Sequence, residues 1–306
     1  MTLAFISHPD CTLPELGDQH PESPRRLSAI EDQLLASGLE FVLRRYDAPL
    51  ASREQLCRVH AASYVEQIFS AAPKEGVVWL DPSTSMVPHT LTAALRAAGA
   101  VVLGVDLAIS GQTRAAFCNV RPPGHHAEHD HAMGFCIFNN VAVGAAHALH
   151  AHALERVAIL DFDAHHGNGT ESIFRDNPGV LYCSTFQHPC YPHRDIEKTY
   201  ANVVDVPLPA ETTGPEFRAA VEARWLPGLE QFRPQLILIS AGFDAHIEDD
   251  MADLCLRESD FAWVTKVIYD CAERYAAGRI VSVLEGGYAP SALGRCVAAH
   301  LNALLG

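Results

Sequence analysis

Three residues at alternate positions of one short segment could bind a metal ion together. Asp161, Asp163 and His165 follow the apolar residues 157–160, whose two β-branched side chains predict a buried strand. In an extended chain, side chains at alternate positions leave the same face, so two carboxylates and an imidazole would lie close together. Like charges repel each other and a buried charge needs a partner. We therefore favour a divalent cation here over a solvated turn at the strand end.

Three further apolar segments also end in polar residues. The first runs into His125 and His126, the second into Asp244 and the third into Tyr288. In open α/β sheets, ligands bind beyond the carboxyl ends of the strands, so four such ends are expected to converge on one site.

The acidic residues and one histidine of these segments form a ligand set typical of a catalytic metal. Asp163, His165 and Asp244 would supply two carboxylates and one imidazole. Three protein ligands leave the metal open to water and substrate, which is the pattern of catalytic rather than structural zinc. Iron(II) is compatible with the same ligands.

The remaining polar residues suit proton transfer and oxyanion stabilisation. Histidines such as His125 and His126 have a pKa near neutrality and can act as general acids and bases. Asp161 could orient His125, and Asn168 could accept a hydrogen bond from His126. A phenol at Tyr288, directly after two glycines, could donate a hydrogen bond to a developing oxyanion. Taken alone, a histidine pair or a Gly-Gly-Tyr turn is ordinary, and only the shared position at strand ends gives them weight.

The elements that must position these residues alternate between strands and helices. The patterns predict strands at 3–7, 115–120, from 157, 180–185, 235–240 and 279–284, and helices at 24–37, 53–59, 62–71, 88–110, 139–153, 215–232, 260–277 and 290–305. Such alternation predicts βαβ units and a parallel sheet that is buried on both faces. No repeat or linker divides the chain, so we predict one domain over residues 1–306.

Composition narrows the class of protein. The formal net charge of −15 argues against nucleic-acid binding and favours cationic substrates. The nine cysteines include no CxxC pair, which predicts a reduced, cytoplasmic protein rather than a disulfide framework. No apolar run is expected to span a membrane and residues 1–9 do not resemble a signal peptide. The histidines at 147, 150 and 152 are expected to lie on a helix and to be solvated.

Together these segments resemble the zinc-dependent histone deacetylase family, which includes bacterial histone-deacetylase-like amidohydrolases and acetylpolyamine amidohydrolases. The resemblance runs from His20 to the end of the chain, with every motif in the family's order. The motifs are Arg-Pro-Pro-Gly-His125-His126-Ala, Met-Gly134-Phe135-Cys136, Asp161-Phe-Asp163-Ala-His165-His166-Gly-Asn168-Gly-Thr, Ser240-Ala-Gly-Phe-Asp244-Ala and Glu-Gly-Gly-Tyr288.

The resemblance implies an arginase–deacetylase α/β fold in which a central, mostly parallel sheet is flanked by helices and carries the site at the carboxyl ends of its strands. It implies that zinc is bound by Asp163, His165 and Asp244. It also implies that His126 of the histidine pair acts as general base and acid, and that Tyr288 polarises the acetyl carbonyl.

The family's tunnel and potassium sites can be transferred in the same way. Gly134, Phe135 and Tyr191 would line the acyl-lysine tunnel. An inner potassium ion would lie close to the zinc, and its ligands would be Asp161, Asp163, His165, Ser184 and the backbone oxygen of Thr185. A second, outer potassium ion would be bound by the backbone carbonyls of Phe174, Asn177 and Val180.

This chain departs from the family pattern at three places. Asn168 stands where class I members have an aspartate, which makes the chain similar to class II. Phe186 replaces a histidine found there in many members. The residues after Tyr191-Pro192 are His193-Arg194-Asp195, where relatives often carry a Gly-Thr-Gly turn, so the rim of the site is expected to differ.

Two other functions fit the sequence less well. Binuclear manganese ureohydrolases, which share the fold, need additional aspartates at positions that are Gly167 and His246 here. A catalytically inactive acyl-lysine binding protein would have lost a metal ligand, the histidine pair or the tyrosine, and all of these are present.

The expected reaction is hydrolysis of an N-acyl-lysine amide in a peptide or protein, with acetylpolyamine hydrolysis as the alternative. Polyamine-specific members carry a glutamate seven positions after the last zinc ligand, and that position is Met251 here. The segment 74–88 is also too short for the inserted loop of those members. Glu248, Asp249 and Asp250 keep the polyamine alternative open, because they could supply the counter-charge for a second ammonium group. The sequence predicts no oligomeric state.

Overall fold

A parallel sheet forms the centre of the molecule. The computed structural model describes residues 3–17, 19–194, 196 and 198–306. Within these residues the strands are β1 (Leu3–Ser7), β2 (Leu43–Asp47), β3 (Val78–Trp79), β4 (Ser85–Met86), β5 (Ala115–Cys118), β6 (Val157–Asp161), β7 (Val180–Gln187), β8 (Val203–Leu208), β9 (Leu236–Ala241) and β10 (Ile280–Leu284). Eight of them form one sheet in the order β2-β1-β5-β10-β9-β6-β7-β8, and every pairing in it is parallel. Strands β3 and β4 form a separate antiparallel pair.

Helices cover the sheet in two groups. They are α1 (Arg25–Ser37), α2 (Arg53–Leu56), α3 (Ala62–Ala71), α4 (Thr90–Ile109), α5 (Asn140–Ala151), α6 (Asn168–Phe174), α7 (Gly214–Phe232), α8 (Glu258–Tyr275) and α9 (Pro290–Leu305). Helices α1, α9, α8 and α7 pack side by side in that order, whereas α4 packs against α5. Because helices lie on both faces, β6, β9 and β10 are buried along their whole length.

The predicted α/β class with a central parallel sheet is confirmed. The prediction missed the outer strands β2 and β8 and the short helix α6. β2 is mostly charged (Leu-Arg-Arg-Tyr-Asp) and half-exposed, and β8 contains Asp205 and Pro207. Edge strands tolerate charge and proline because one side of them needs no partner strand, so they lack the apolar pattern by which buried strands are predicted.

Helix α4 corrects the expectation about membrane spans. It is long and apolar enough to cross a membrane by length and composition, and 72% of its most apolar window is buried. The helix packs against α5, β5 and β10. Its apolar surface is therefore used by the core of this fold.

The strand register brings the predicted site together. Asp161, the last residue of β6, is level with Ser184 on β7 and with Ser240 on β9. Ala241 of β9 is level with Leu284 of β10. The segments that follow β6, β9 and β10 therefore leave the sheet side by side. Residues 1 and 2 of the segment 1–9, which was considered above as a signal peptide, lie outside the described residues, and so does the predicted rim residue Asp195.

Candidate active site

The three predicted metal ligands converge on one point. Asp163 and His165 follow β6, and Asp244 follows β9. Nδ1 of His165 lies 3.1 Å from Oδ1 of Asp163 and 3.0 Å from Oδ2 of Asp244. All three side chains are buried. Two buried carboxylates facing one imidazole nitrogen fit a divalent cation, because a cation would offset the repulsion between the carboxylates.

The surrounding groups orient each of these ligands. Oδ2 of Asp163 accepts a hydrogen bond from the backbone nitrogen of Gly286 at 2.8 Å, and Oδ1 of Asp244 accepts one from Ala164 at 2.9 Å. Nε2 of His165 lies 3.2 Å from the carbonyl oxygen of Met251. A carbonyl only accepts, so Nε2 carries a proton. Burial lowers the pKa of His165, but the carboxylates of Asp163 and Asp244 outweigh it and raise the pKa well above its ordinary value, so a metal bound at Nδ1 would displace a second proton. The imidazole is thus prepared to bind a metal through Nδ1.

The pKa values of the two carboxylates, Asp163 and Asp244, are shifted in opposite directions. Burial raises the pKa of Asp163, but the neighbouring His125 and His165 outweigh it, so the pKa is lowered. Burial and the negative charge of Asp163 both raise the pKa of Asp244. A bound divalent cation would favour the ionised form of both groups.

The two adjacent histidines have different partners and different charges. Nδ1 of His125 lies 3.1 Å from Oδ2 of Asp161, and Nδ1 of His126 lies 2.8 Å from Oδ1 of Asn168. Burial lowers the pKa of His125, yet the carboxylates of Asp163 and Asp161 raise it to about 10. Burial and the charges of His125 and His165 lower the pKa of His126. Of the pair, His126 is therefore the one held neutral and able to accept a proton.

Glu128 contributes to this arrangement and was missed in the sequence. Its Oε1 accepts a hydrogen bond from Nδ2 of Asn168 at 2.8 Å. Because a carboxylate only accepts, the amide nitrogen of Asn168 must face Glu128 and the amide oxygen must face His126. Nδ1 of His126 then carries the proton, and Nε2 is left as the base. The only signal in the sequence was an acidic residue two positions after the histidine pair.

The loop after β10, which carries Tyr288, contacts one of the predicted metal ligands through the hydrogen bond from Gly286 to Asp163. The backbone nitrogen of Tyr288 donates to Oδ2 of Asp249, and its ring centroid lies 6.0 Å from that of Phe135. A Cβ atom at Gly286 would lie 2.1 Å from the Asp244 carboxylate, so only glycine permits this close approach. Burial raises the pKa of Tyr288 well above its ordinary value. The phenol therefore keeps its proton and can donate it in a hydrogen bond.

The predicted tunnel residues also lie at this site. A Cβ atom at Gly134 would lie 2.4 Å from the ring of His126, and the backbone of Phe135 has a positive φ of 67°. The ring of Tyr191 stands edge-on to His126 at 5.0 Å and near His165 at 6.2 Å. The ring of Tyr191 therefore lies beside two histidines of the site, and the ring of Phe135 lies beside Tyr288.

The two predicted potassium sites differ in their fit. At the inner site, Oγ of Ser184 is buried and has no hydrogen-bond partner among the described residues, and Asp161 is its neighbour across the strands. Thr185 follows on the same buried strand. An unpartnered hydroxyl beside a carboxylate fits a cation. At the outer site, the amide nitrogen of Asn202 lies 2.8–3.0 Å from the carbonyl oxygens of Phe174, Asn177 and Val180 and shares its two hydrogens among them, so the amide takes the position of the ion and the site does not fit it.

The histidines near the end of α5 are not simply solvated as expected. His147 is buried, and Nε2 of His147 and of His152 lie 2.8 and 2.6 Å from the same oxygen of Asp106. Asp106 comes from α4, which packs on α5. A contact between two helices cannot be seen in the pattern of either one. Only His150 is exposed.

The acidic residues after Asp244 have structural partners. Oε1 of Glu248 pairs with Arg295 at 2.6 Å. Oδ2 of Asp249 accepts hydrogen bonds from the backbone nitrogens of Tyr288 and Ala289, while Asp250 is exposed. The polyamine alternative depended on three carboxylates, and two of them, those of Glu248 and Asp249, already have partners within the protein.

Comparison with known proteins gives consistent matches over nearly the whole chain. Residues 20–304 match the histone deacetylase domain family. A histone deacetylase-like amidohydrolase of Pseudomonas aeruginosa is 37% identical over 300 residues, which cover 96% of this chain and 79% of that protein. The polyamine deacetylase HDAC10 of Homo sapiens is 35% identical over 330 residues, covering 100% of this chain and 48% of that protein. The crystal structure of the HDA15 HD domain matches with a TM-score of 0.93 at 29% identity, covering 99% of this chain and 88% of that chain.

Proposed function

The chain belongs to the histone deacetylase domain family, and on that premise we propose that it is a zinc-dependent amidohydrolase that removes acetyl groups from lysine side chains in peptides or proteins. The observation that carries the proposal is the convergence of Asp163, His165 and Asp244 on one buried point. Zinc suits these ligands, and iron(II) is compatible with them. Potassium at the inner site is part of the same proposal.

The proposed reaction is hydrolysis of an amide. When bound, zinc would polarise the acetyl carbonyl and acidify the attacking water. Nε2 of neutral His126 takes a proton from the water as its oxygen adds to the carbonyl carbon, and Tyr288 donates a hydrogen bond to the resulting oxyanion. The C–N bond then breaks, and His126 returns the proton to the leaving nitrogen. The products are a free amine and acetate.

His125, the charged member of the histidine pair, influences the reaction through its charge. His125 carries the positive charge that its contact with Asp161 favours, and that charge lowers the pKa of the adjacent His126. Tyr288 is protonated in the same pH range because burial raises its pKa. We infer that one proton acceptor and one hydrogen-bond donor are available together near neutral pH.

Acetyl-lysine is the substrate that we favour over acetylpolyamine. A second ammonium group would need a nearby carboxylate. Glu248 and Asp249 are engaged by Arg295 and by the Tyr288 loop, and the remaining position is Met251. The polyamine alternative is supported by the human relative, a polyamine deacetylase of whose length this chain covers 48%.

The decisive experiment compares kcat/KM of the purified enzyme for an acetyl-lysine peptide and for N-acetylputrescine. We expect the peptide to be preferred, and a preference for the acetylated diamine would establish the alternative. Zinc content is measured in parallel for the parent and for Asp244→Ala. The variant should hold much less zinc, and full zinc occupancy in it would remove Asp244 from the ligand set. Hydroxamates, which chelate zinc through two atoms, should inhibit the parent.

A binuclear ureohydrolase remains unsupported by the local geometry. A Cβ atom at Gly167 would lie 2.4 Å from the carboxylate of Asp161 and 2.3 Å from the hydroxyl of Tyr182. A second metal-binding carboxylate at this position would therefore displace the groups around the histidine pair. Two manganese ions per chain by metal analysis would overturn this conclusion.

We also propose that residues 1–306 form one catalytic domain in the reducing cytoplasm. All nine cysteines are free, which supports a reducing compartment. The partner of the domain would be the acylated peptide, protein or small amine itself.

A further inference from the structure

Three backbone carbonyl groups converge on a single side-chain nitrogen at the end of α6. Nδ2 of Asn202 lies 2.8 Å from the oxygen of Phe174, 3.0 Å from that of Asn177 and 2.9 Å from that of Val180. These are the three carbonyls that the family resemblance assigns to the outer potassium ion. The amide nitrogen thus occupies the point on which they converge.

The chemistry of the partners identifies the atom of Asn202 that faces them. All three are carbonyl oxygens, which only accept hydrogen bonds, so the amide must present its NH₂ group and not its oxygen. Rings of backbone carbonyls bind potassium because they replace its hydration shell. An NH₂ group and a potassium ion use the same carbonyl lone pairs. They therefore compete for this position.

The backbone holds the amide there. The carbonyl oxygen of Asn202, directly before β8, accepts a hydrogen bond from the backbone nitrogen of Tyr182 on β7 at 2.9 Å. The loop that carries the three carbonyls is itself closed by hydrogen bonds from Asn177 to Phe174 at 2.8 Å and from Val180 to Asn177 at 3.1 Å. Backbone hydrogen bonds within the chain thus hold both Asn202 and the loop.

At the predicted inner potassium site, by contrast, no side chain takes the place of the ion among the described residues. Oγ of Ser184 is buried and lacks a hydrogen-bond partner among the described residues, and the carboxylate of Asp161 is level with it on the neighbouring strand. No amide or guanidinium group of the described residues donates a hydrogen bond to that hydroxyl. A cation would therefore satisfy a group that the protein itself leaves without a partner.

We propose that the amide of Asn202 replaces the outer monovalent cation, so that this chain binds potassium at the inner site only. The replacement converts an ion-dependent connection between α6, β7 and β8 into one built from the chain's own groups. This proposal is independent of the substrate and of the hydrolytic activity, and it stands or falls by cation binding alone.

Crystals of the parent protein grown in rubidium chloride test the proposal directly, because rubidium substitutes for potassium and scatters anomalously. We expect an anomalous peak beside Asp161 and Ser184 and none among the carbonyls of Phe174, Asn177 and Val180. A rubidium peak among those three carbonyls would overturn the proposal.

Variants provide a second test without any activity measurement. In Asn202→Ala the amide no longer occupies the point between the three carbonyls, so potassium should bind there and raise Tm by an additional 2 °C or so between choline chloride and potassium chloride of equal ionic strength. Asn302→Ala, which removes an exposed amide from α9, is the matched control and should respond like the parent. The proposal fails if Asn202→Ala also responds like the parent.

Asn202→Asp keeps the test informative if Asn202→Ala does not fold. The side chain has nearly the same shape but presents an acceptor to the three carbonyls, so a cation becomes necessary to offset their repulsion. Its Tm should rise more steeply with potassium than that of the parent. Equal slopes for the parent and this variant would contradict the proposed role of the amide.

Discussion

At the scale of single residues, the two adjacent histidines differ in their hydrogen-bond partners and in the direction of their pKa shifts. The two rings are 4.0 Å apart, but His125 faces a carboxylate whereas His126 faces an amide. The pKa of His125 is raised to about 10 and that of His126 is lowered. The hydrogen bond to Asn168 raises the pKa of His126, but this neutral amide adds no negative charge, and burial together with the charges of His125 and His165 outweighs it.

Tyr288 provides the sharpest residue-scale prediction. Tyr288→Phe should fold and retain zinc while kcat on an acetyl-lysine peptide falls by a factor on the order of 10²–10³, because one oxyanion donor is lost. Tyr46→Phe is the control: its hydroxyl is buried without a hydrogen-bond partner in the described chain, and its loss should leave kcat unchanged. Near-parental turnover by Tyr288→Phe would show that the phenol has no role in stabilising the oxyanion.

At the scale of elements, helix α4 packs against the chain so closely that one position admits only glycine. A Cβ atom at Gly99 would lie 2.0 Å from the carbonyl oxygen of Pro49, a backbone atom that has little freedom to move. At Gly228 in α7, by contrast, the nearest atom to a Cβ would be 3.7 Å away. Glycine is thus required by packing in α4, whereas in α7 it is not.

These two glycines form a matched pair of substitutions. Gly99→Ala should lower the free energy of unfolding by about 1–3 kcal/mol, because the added methyl group must displace backbone. Gly228→Ala should leave the free energy of unfolding unchanged or raise it by up to about 1 kcal/mol, because alanine favours the helix. Urea denaturation of both variants measures the difference. Equal stability of the two variants would mean that the contact between α4 and Pro49 relaxes readily.

A histidine between α2 and α3, His60, contacts the residue that precedes helix α5, and its protonation opposes folding. Nδ1 of His60 lies 2.8 Å from the carbonyl oxygen of Glu128, and Nε2 accepts a hydrogen bond from the backbone nitrogen of Asn139 at 2.9 Å. Protonation of Nε2 would break the second bond. Burial lowers the pKa of His60 to about 4.

The stability of the protein should therefore depend on His60 between about pH 6.5 and pH 4. In this range the unfolded chain binds a proton that the folded chain excludes, so the free energy of unfolding falls as the pH falls, by about 3 kcal/mol in total. His60→Gln keeps a donor and an acceptor but does not titrate. Its free energy of unfolding, measured with urea across this range, should vary less with pH than that of the parent. The same slope in both proteins would rule out His60 as the source.

At the scale of the whole molecule, the net charge of −15 is the dominant property. Such a charge attracts cationic ligands over distances that salt shortens. The side chain of the proposed acyl-lysine substrate is itself neutral, so the attraction would act on the residues that flank it in a peptide. The charge therefore predicts a preference for basic sequences around the modified lysine.

Salt dependence checks this preference. The kcat/KM ratio between an acetyl-lysine peptide flanked by arginines and one flanked by glutamates should exceed unity at low salt and shrink by roughly tenfold between about 10 and 500 mM salt. A peptide with uncharged flanking residues serves as the control and should change little. A ratio that is independent of salt would indicate direct contacts to the flanking residues instead of a long-range field.

The sequence by itself determined the class of fold and the set of candidate site residues. Apolar segments such as 157–160 and 236–239 are local patterns that define buried strands, and the carboxyl ends of parallel strands meet at one edge of a sheet. The convergence of Asp163 and Asp244 follows from that rule, although they are far apart in the chain. The roles assigned to these residues stay predictions until the variants are measured.

Only the tertiary structure decided which groups surround those residues. Glu128 orients Asn168, Asp106 contacts two histidines at the end of a neighbouring helix, and Asn202 contacts the three carbonyls predicted to bind an outer cation. Each of these contacts joins segments that are distant in sequence, and none changes the hydrophobic pattern of the segment that contains it. Periodicity reports which face of an element is buried, whereas a polar partner is set by the packing of separate elements, which no single segment encodes.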